Sequence, residues 1–172
     1  MKPSVVRLVA GSLALLAAGV WLGGIVVLGA VVAPTVFGIV PAPTSADAMT
    51  IVFTSFDKIA MTAAAIIAVC EVVGTRARAK SPARIDIARL AVIGVAGALA
   101  VVQGLWLSPT IVALHRAGAV RGSGELGMKL DRFHSWSETC GKTESLLLVA
   151  LVVLLAHAMS TDPPNAGRRE RD

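Results

Sequence analysis

Residues Trp21–Pro43 read "WLGGIVVLGAVVAPTVFGIVPAP" and contain no charged side chain. The stretch is too apolar for a water-facing surface, is studded with glycine, and carries Pro34, Pro41 and Pro43. Working outward from it, the charge-free run extends from Leu8 to Ala46. The apolar core of a cleaved secretory signal is only about 7–15 residues long. The run therefore reads as a retained helix that targets the chain and then stays. As one helix from about Val6 to Val40 it covers roughly 50 Å, more than the roughly 30 Å hydrocarbon core of a bilayer. It must tilt, protrude or break. Pro34 is the expected kink, because proline removes a backbone donor and clashes with the preceding turn. The Pro41/Pro43 turn ends the span.

The remaining chain repeats the apolar pattern. It has 172 residues, is 55% hydrophobic and 16% charged, and has a mean hydropathy of +0.76. Soluble domains are about a quarter charged. A second span is expected over about Met49–Gly74, with Asp57 and Lys58 early and Glu71 late. A third is expected over Ile85–Leu114, with "QGLWLSP" near its end. A fourth has its apolar part in "SLLLVALVVLLAHAM" and begins near Ser123, where Leu126, Leu130 and Phe133 share a face. The fold class is thus all-α, an integral membrane bundle of four transmembrane helices, the first long and kinked near Pro34. The four-helix domain covers 1–158, and 159–172 form a polar, disordered tail. Thr44 or Ser45 can cap the second helix. No internal repeat is evident.

Basic residues orient the bundle. With the N-terminus in the cytoplasm, ten fall inside: Lys2, Arg7, Arg76, Arg78, Lys80, Arg84, Arg89, Arg168, Arg169 and Arg171. Four fall outside: Arg116, Arg121, Lys129 and Arg132. The expected location is a multi-pass protein of the cell membrane with both termini cytoplasmic. The net charge of +5 and pI near 9.9 then signal topology. With three Trp, four Phe and no Tyr, base-stacking side chains are too scarce for nucleic-acid binding.

Small residues suggest how the helices meet. Gly19 and Gly23 form a GxxxG, and Gly94 with Ala98 repeats the idea; such positions let backbones approach closely in lipid. They are expected to pack inside the bundle, with docking of a second copy or of a partner membrane protein as the alternative. The lipid bilayer itself is the other expected partner.

Ionisable groups within spans are costly and are candidates for function. In this topology Asp57, Gln103, His134, Glu138 and Lys142 all come to the outer half, together with Ser108, Pro109 and Ser137. The inner half is nearly pure aliphatic apart from Cys70, Glu71 and His157. His134, Glu138 and Lys142, spaced i, i+4, i+8, form a ladder on one helix face. Two readings follow. The ladder and Asp57 line a polar pocket that binds or moves a small solute or ion, with His134 able to sense pH. Alternatively, the chain is a structural or accessory subunit whose ladder only locks helix packing. His134 and Glu138 are two ligands of an incomplete metal site, even with Asp57 added, so no metal is assigned. His115 and His134 are expected near the outer surface and His157 near the inner one, which is not the set of facing pairs that a transmembrane haem relay needs, so no haem or other cofactor is assigned. Cys70 and Cys140 lie at opposite ends of the bundle, too far apart for a disulfide. No GxSxG, HExxH, Walker or Cys/His/Asp pattern supports an enzyme.

"WLGG", then "APTVF", then "FTSFDK", then "RFHSWSE", in this order and spacing, resemble the transmembrane protein 205-like family over about Val6–His157. The resemblance implies small four-span membrane proteins without an established reaction. Its positions here are Trp21, Gly23, Gly24, Pro34, Phe37, Phe56, Asp57, His134 and Ser137. The chain departs from the eukaryotic pattern around "SWSETCGK". A fainter likeness to copper-resistance membrane proteins lacks their methionine- or histidine-rich clusters.

Overall fold

The computed structural model describes residues 3–77 and 84–161. Of the basic residues used for orientation, Lys2, Arg78, Lys80, Arg168, Arg169 and Arg171 lie outside this range, as does all of the expected tail except Met159–Thr161. The described residues form helices joined by short turns, without a strand. Helix α1 (Pro3–Val27) runs through a π-turn (Leu28–Val32) into α2 (Ala33–Ile39). After a short turn comes α3 (Thr44–Arg76). Helix α4 (Arg84–Val102) continues through a second π-turn (Gln103–Leu107) into α5 (Ser108–Arg116), and α6 (Gly124–Thr161) completes the chain. These make four long rods: α1–α2, α3, α4–α5 and α6.

The first and third rods share one local device. In each, the π-turn is followed directly by Pro at the start of the next helix, Pro34 in "APT" and Pro109 in "SPT". A proline cannot donate to the carbonyl four residues back and its ring pushes that carbonyl away. The wider turn absorbs the misfit: the Ala33 amide donates to the Leu28 carbonyl and the Ser108 amide to the Gln103 carbonyl, each five residues back. The departure expected at Pro34 is therefore a π-turn just before it, and the rod stays continuous.

Rod α1–α2 packs on α3 and α6, and α4–α5 packs on the same two. The rods thus form a square with α1 and α4 on one diagonal and α3 and α6 on the other. Three of the rods are long and apolar enough to cross a membrane: Ser4–Ile39, Arg84–Arg116 and Gly124–Ser160. Helix α3 has the length but carries Asp57, Lys58 and Glu71 between its ends.

The interior is built from small side chains. Ala10, Ala14, Ala18 and Trp21 form the buried stripe of α1, facing Ala60, Ala63, Ala64 and Ile67 of α3, with Ala96 and Ala100 of α4 and Leu148, Leu151 and Leu155 of α6 completing the core. Large apolar side chains such as Leu8, Leu16, Val20, Val31, Ile39, Leu105 and Leu146 point outward. In water this arrangement would waste its burial. In lipid it is favourable, because helices there associate through close approach rather than through escape from solvent. This is the architecture of a helical membrane protein.

Several expectations change at this level. Gly19 and Gly23 do not pack inside the bundle: they lie on the outer face of α1, and a Cβ at either would meet nothing within 4 Å. Gly94 is equally open and Ala98 is exposed. The buried stripe runs along the alanines instead, one helical face away. Neither Thr44 nor Ser45 caps α3; the Pro41 and Pro43 carbonyls accept its first amides. Leu130 and Phe133 are buried with Leu107, Ile111 and Leu114 of the third rod, but Leu126 is exposed beyond the end of α5. There Gly127 is buried under the Val120 carbonyl, with no room for a side chain.

Candidate functional site

Near the end of the bundle that carries the 117–123 connection, the rods part around a cavity of about 600 Å³. Its walls come from the end of the first rod, the first half of α3, the second π-turn with α5, and the first half of α6. Both π-turns contribute to it. Asp57, Gln103, His134, Glu138 and Lys142 all line it, but at different depths.

Asp57 lies deep, 7% exposed. It is held there by glycine on two sides. A side chain at Gly24 of α1 would overlap the ring of Phe56, so only glycine lets that ring seat against α1. A Cβ at Gly104, within the second π-turn, would come within 3.2 Å of the Asp57 Cβ and 3.0 Å of the Met61 Cε. The Phe56–Asp57 pair is thus gripped between two bare stretches of backbone, one in "WLGG" and one in "QGLW". The Ser108 side chain lies near the Asp57 carboxylate, whose Oδ2 has no partner.

Gln103 opens the second π-turn. Its Nε2 donates to Ser137 Oγ of α6 at 2.6 Å and lies 3.5 Å from Ser108 Oγ. Its Oε1 is buried without a partner. The amide therefore ties the third rod to α6 and leaves its acceptor without a partner.

The ladder on α6 is not one buried face. With 3.6 residues per turn, each step of four residues drifts by about 40°, so Lys142 stands about 80° round from His134. The core side of α6 is marked by Leu130, Leu148, Leu151 and Leu155. His134 is half-buried at the edge of this face. Glu138 and Lys142 have rotated off it: their side chains are 67% and 74% exposed, and they pair with each other at 2.7 Å. They form the polar rim of the cavity.

The acid that does point inward is Glu144, which sequence reasoning did not single out. It is 4% exposed, accepts a hydrogen bond from Trp21 Nε1 at 3.3 Å, and keeps Oε1 without a partner. A signal was present: Leu130, Ser137, Glu144 and Leu151 are spaced by sevens, the repeat of an inward-facing stripe. Trp21, Ser108, His115 and Arg121 are further participants that the sequence did not mark as site residues. The His115 and His134 rings meet edge to face, 5.8 Å apart. Arg121 Nε donates to Asp131 at 2.7 Å, and the Gly122 amide donates to the other oxygen of the same carboxylate at 2.9 Å. These contacts tie the 117–123 connection to α6, and Arg121 lines the cavity. Beside it, Trp106, Phe133 and Trp136 form an aromatic cluster with ring centroids 5.2–5.9 Å apart.

The opposite end of the bundle is more polar than expected. Arg89, counted above with the loop residues, is 3% exposed. It bonds Asp86 at 2.7 Å and approaches Glu71 Oε2 to 3.1 Å. Cys70 is buried in the main core and Cys140 packs against the cluster around Leu107. No group of three or more His, Cys, Asp or Glu side chains disposed to hold a metal occurs among the described residues.

No curated protein and no solved structure matches the chain. A family profile does, over residues 16–119, a stretch that includes Trp21, Gly24, Phe56, Asp57, Gln103, Gly104 and Ser108 and ends before α6. It spans more than half of the sequence, and the chain therefore belongs to the family of the domain of unknown function DUF4149.

Proposed function

We propose that the chain is a four-span protein of the cell membrane, with both termini in the cytoplasm, whose cavity binds or moves a small solute from the outer side. The observation that carries this reading is the pair of buried acids, Asp57 and Glu144, set in one cavity with carboxylate oxygens that no protein group satisfies. Buried polar atoms are normally paired, and an unpaired one costs about 1–3 kcal/mol. Charges kept inside a membrane bundle at such cost are characteristic of binding sites and transport pathways. Taking α3 as the fourth span is supported by its packing between two apolar rods, which shields Asp57 and Glu71 from lipid. The excess of basic residues toward the termini and the 77–84 connection supports the orientation. The resemblance to the transmembrane protein 205-like family agrees with four spans and adds no reaction. No residue set supports an enzyme.

The rival reading, in which the polar ladder only locks helix packing, draws no support from the Glu138–Lys142 pair. Glu138 and Lys142 pair within α6 and are exposed, so they join no two helices. Accessibility tests the proposal. In a background with Cys70 and Cys140 replaced by Ala, Ser137→Cys should react with a small, charged, membrane-impermeant thiol reagent added from outside. Absence of labelling in folded protein would mean a dry bundle and a scaffold.

A further inference from the structure

We infer that the cavity takes an organic ammonium ion with an apolar tail. The inference deepens the proposed function and rests on it. Asp57, Glu144 and Gln103 line the cavity, and each keeps a buried oxygen without a donor: Oδ2, Oε1 and Oε1 respectively. Two of the donors here are already used, Trp21 on Glu144 and the Gln103 amide on Ser137. What these three oxygens lack is a hydrogen-bond donor, and what the two acids lack is a positive charge. Neither Asp57 nor Glu144 forms an ion pair among the described residues, and the nearby cations are engaged elsewhere, Lys142 with Glu138 and Arg121 with Asp131. An ammonium group supplies both needs at once, since it brings up to three N–H donors and one charge.

The rest of the cavity selects the tail. Phe37, Phe53 and Phe56 line it beside these oxygens, and its volume of about 600 Å³ lies within the range of small-molecule sites. A bare inorganic cation needs a tight cage of about six or more oxygens for calcium, or ordered waters for magnesium. Here the space is far larger than an ion, and no group of three ligating side chains occurs among the described residues. An anion would meet two buried carboxylates, while the lining cations Lys142 and Arg121 are already paired with Glu138 and Asp131. The exposed Glu138–Lys142 pair gives a polar edge along which a cation enters from water.

The test is a charge series on the purified full chain in lipid nanodiscs. Binding of 2-phenylethylammonium, 2-phenylethanol and phenylacetate, similar in size and differing in charge, is measured by calorimetry. The ammonium ion should bind, the alcohol more weakly by about thirtyfold, and the carboxylate not at all; about thirtyfold is the lower end of what loss of one buried charge partner costs. Asp57→Asn and Glu144→Gln should each weaken the ammonium ion by a similar factor and leave the alcohol unchanged. If either variant fails to fold, the wild-type series alone decides. Alcohol binding equal to that of the ammonium ion overturns the cation assignment and leaves a solute cavity. Sodium displacing the ammonium ion at equal concentration overturns its organic part. No binding by any of the three, together with no labelling of Ser137→Cys, overturns both this inference and the proposed function.

Discussion

Gly24 and Gly23 are adjacent in "WLGG", yet substitution to alanine should act in opposite directions. In a helix interior, Gly→Ala gains about 0.8–1 kcal/mol from backbone entropy alone. At Gly23 nothing lies within 4 Å of the added methyl, so that gain should appear almost intact. At Gly24 the methyl overlaps the edge of the Phe56 ring, at its Cε2 and Cζ atoms. Phe56 is itself packed against the core and cannot swing away freely. Inserting a methyl into such a contact costs about 1–3 kcal/mol. The net effect expected for Gly24→Ala is thus a loss of up to about 2 kcal/mol, and the two neighbours should differ by the steric cost itself, about 1–3 kcal/mol. The assay is reversible unfolding in mixed micelles by sodium dodecyl sulfate, followed by tryptophan fluorescence. A double-mutant cycle adds a sharper requirement. In a Phe56→Ala background the Gly24→Ala penalty should vanish, leaving a coupling of about 2 kcal/mol, within the range for residues in contact. Should Gly24→Ala stabilise the protein as Gly23→Ala does, or should the coupling be near zero, the grip on the Phe56–Asp57 pair described above is wrong.

The remaining predictions concern the two charged clusters. Arg89→Met should cost about 1–3 kcal/mol, because it removes the buried guanidinium that bonds Asp86 and approaches Glu71; a micellar unfolding curve that is unmoved would mean that this end of the bundle is open to water. Glu138→Gln should leave the melting temperature of the solubilised protein unchanged, since the pair it breaks is exposed and lies within one helix. A large fall in that temperature would restore the ladder as a packing lock.

The number of rods, their approximate limits and their apolar character were legible because each depends on local composition alone. Long charge-free runs need no partner to be recognised, and a proline must disturb a helix wherever it stands. The start of α6 near Ser123 and the gathering of Asp57, Gln103 and His134 at one end followed from the same counting. What the chain could not reveal by itself was rotation. GxxxG reads as a packing face, yet rotation of α1 turns Gly19 and Gly23 outward and puts the alanine stripe and Gly24 inside. The i, i+4, i+8 spacing suggested one buried ladder, yet on a straight helix it drifts off the core, and the seven-residue spacing through Ser137 and Glu144 stays on it. Arg89 looked like a topology signal and is a buried partner of Asp86 and Glu71. In each case hydropathy specified a helix long enough to span, while only contact between helices decided which of its faces turns inward. Close approach in lipid depends on the matched shapes of two surfaces, and no single helix carries that information.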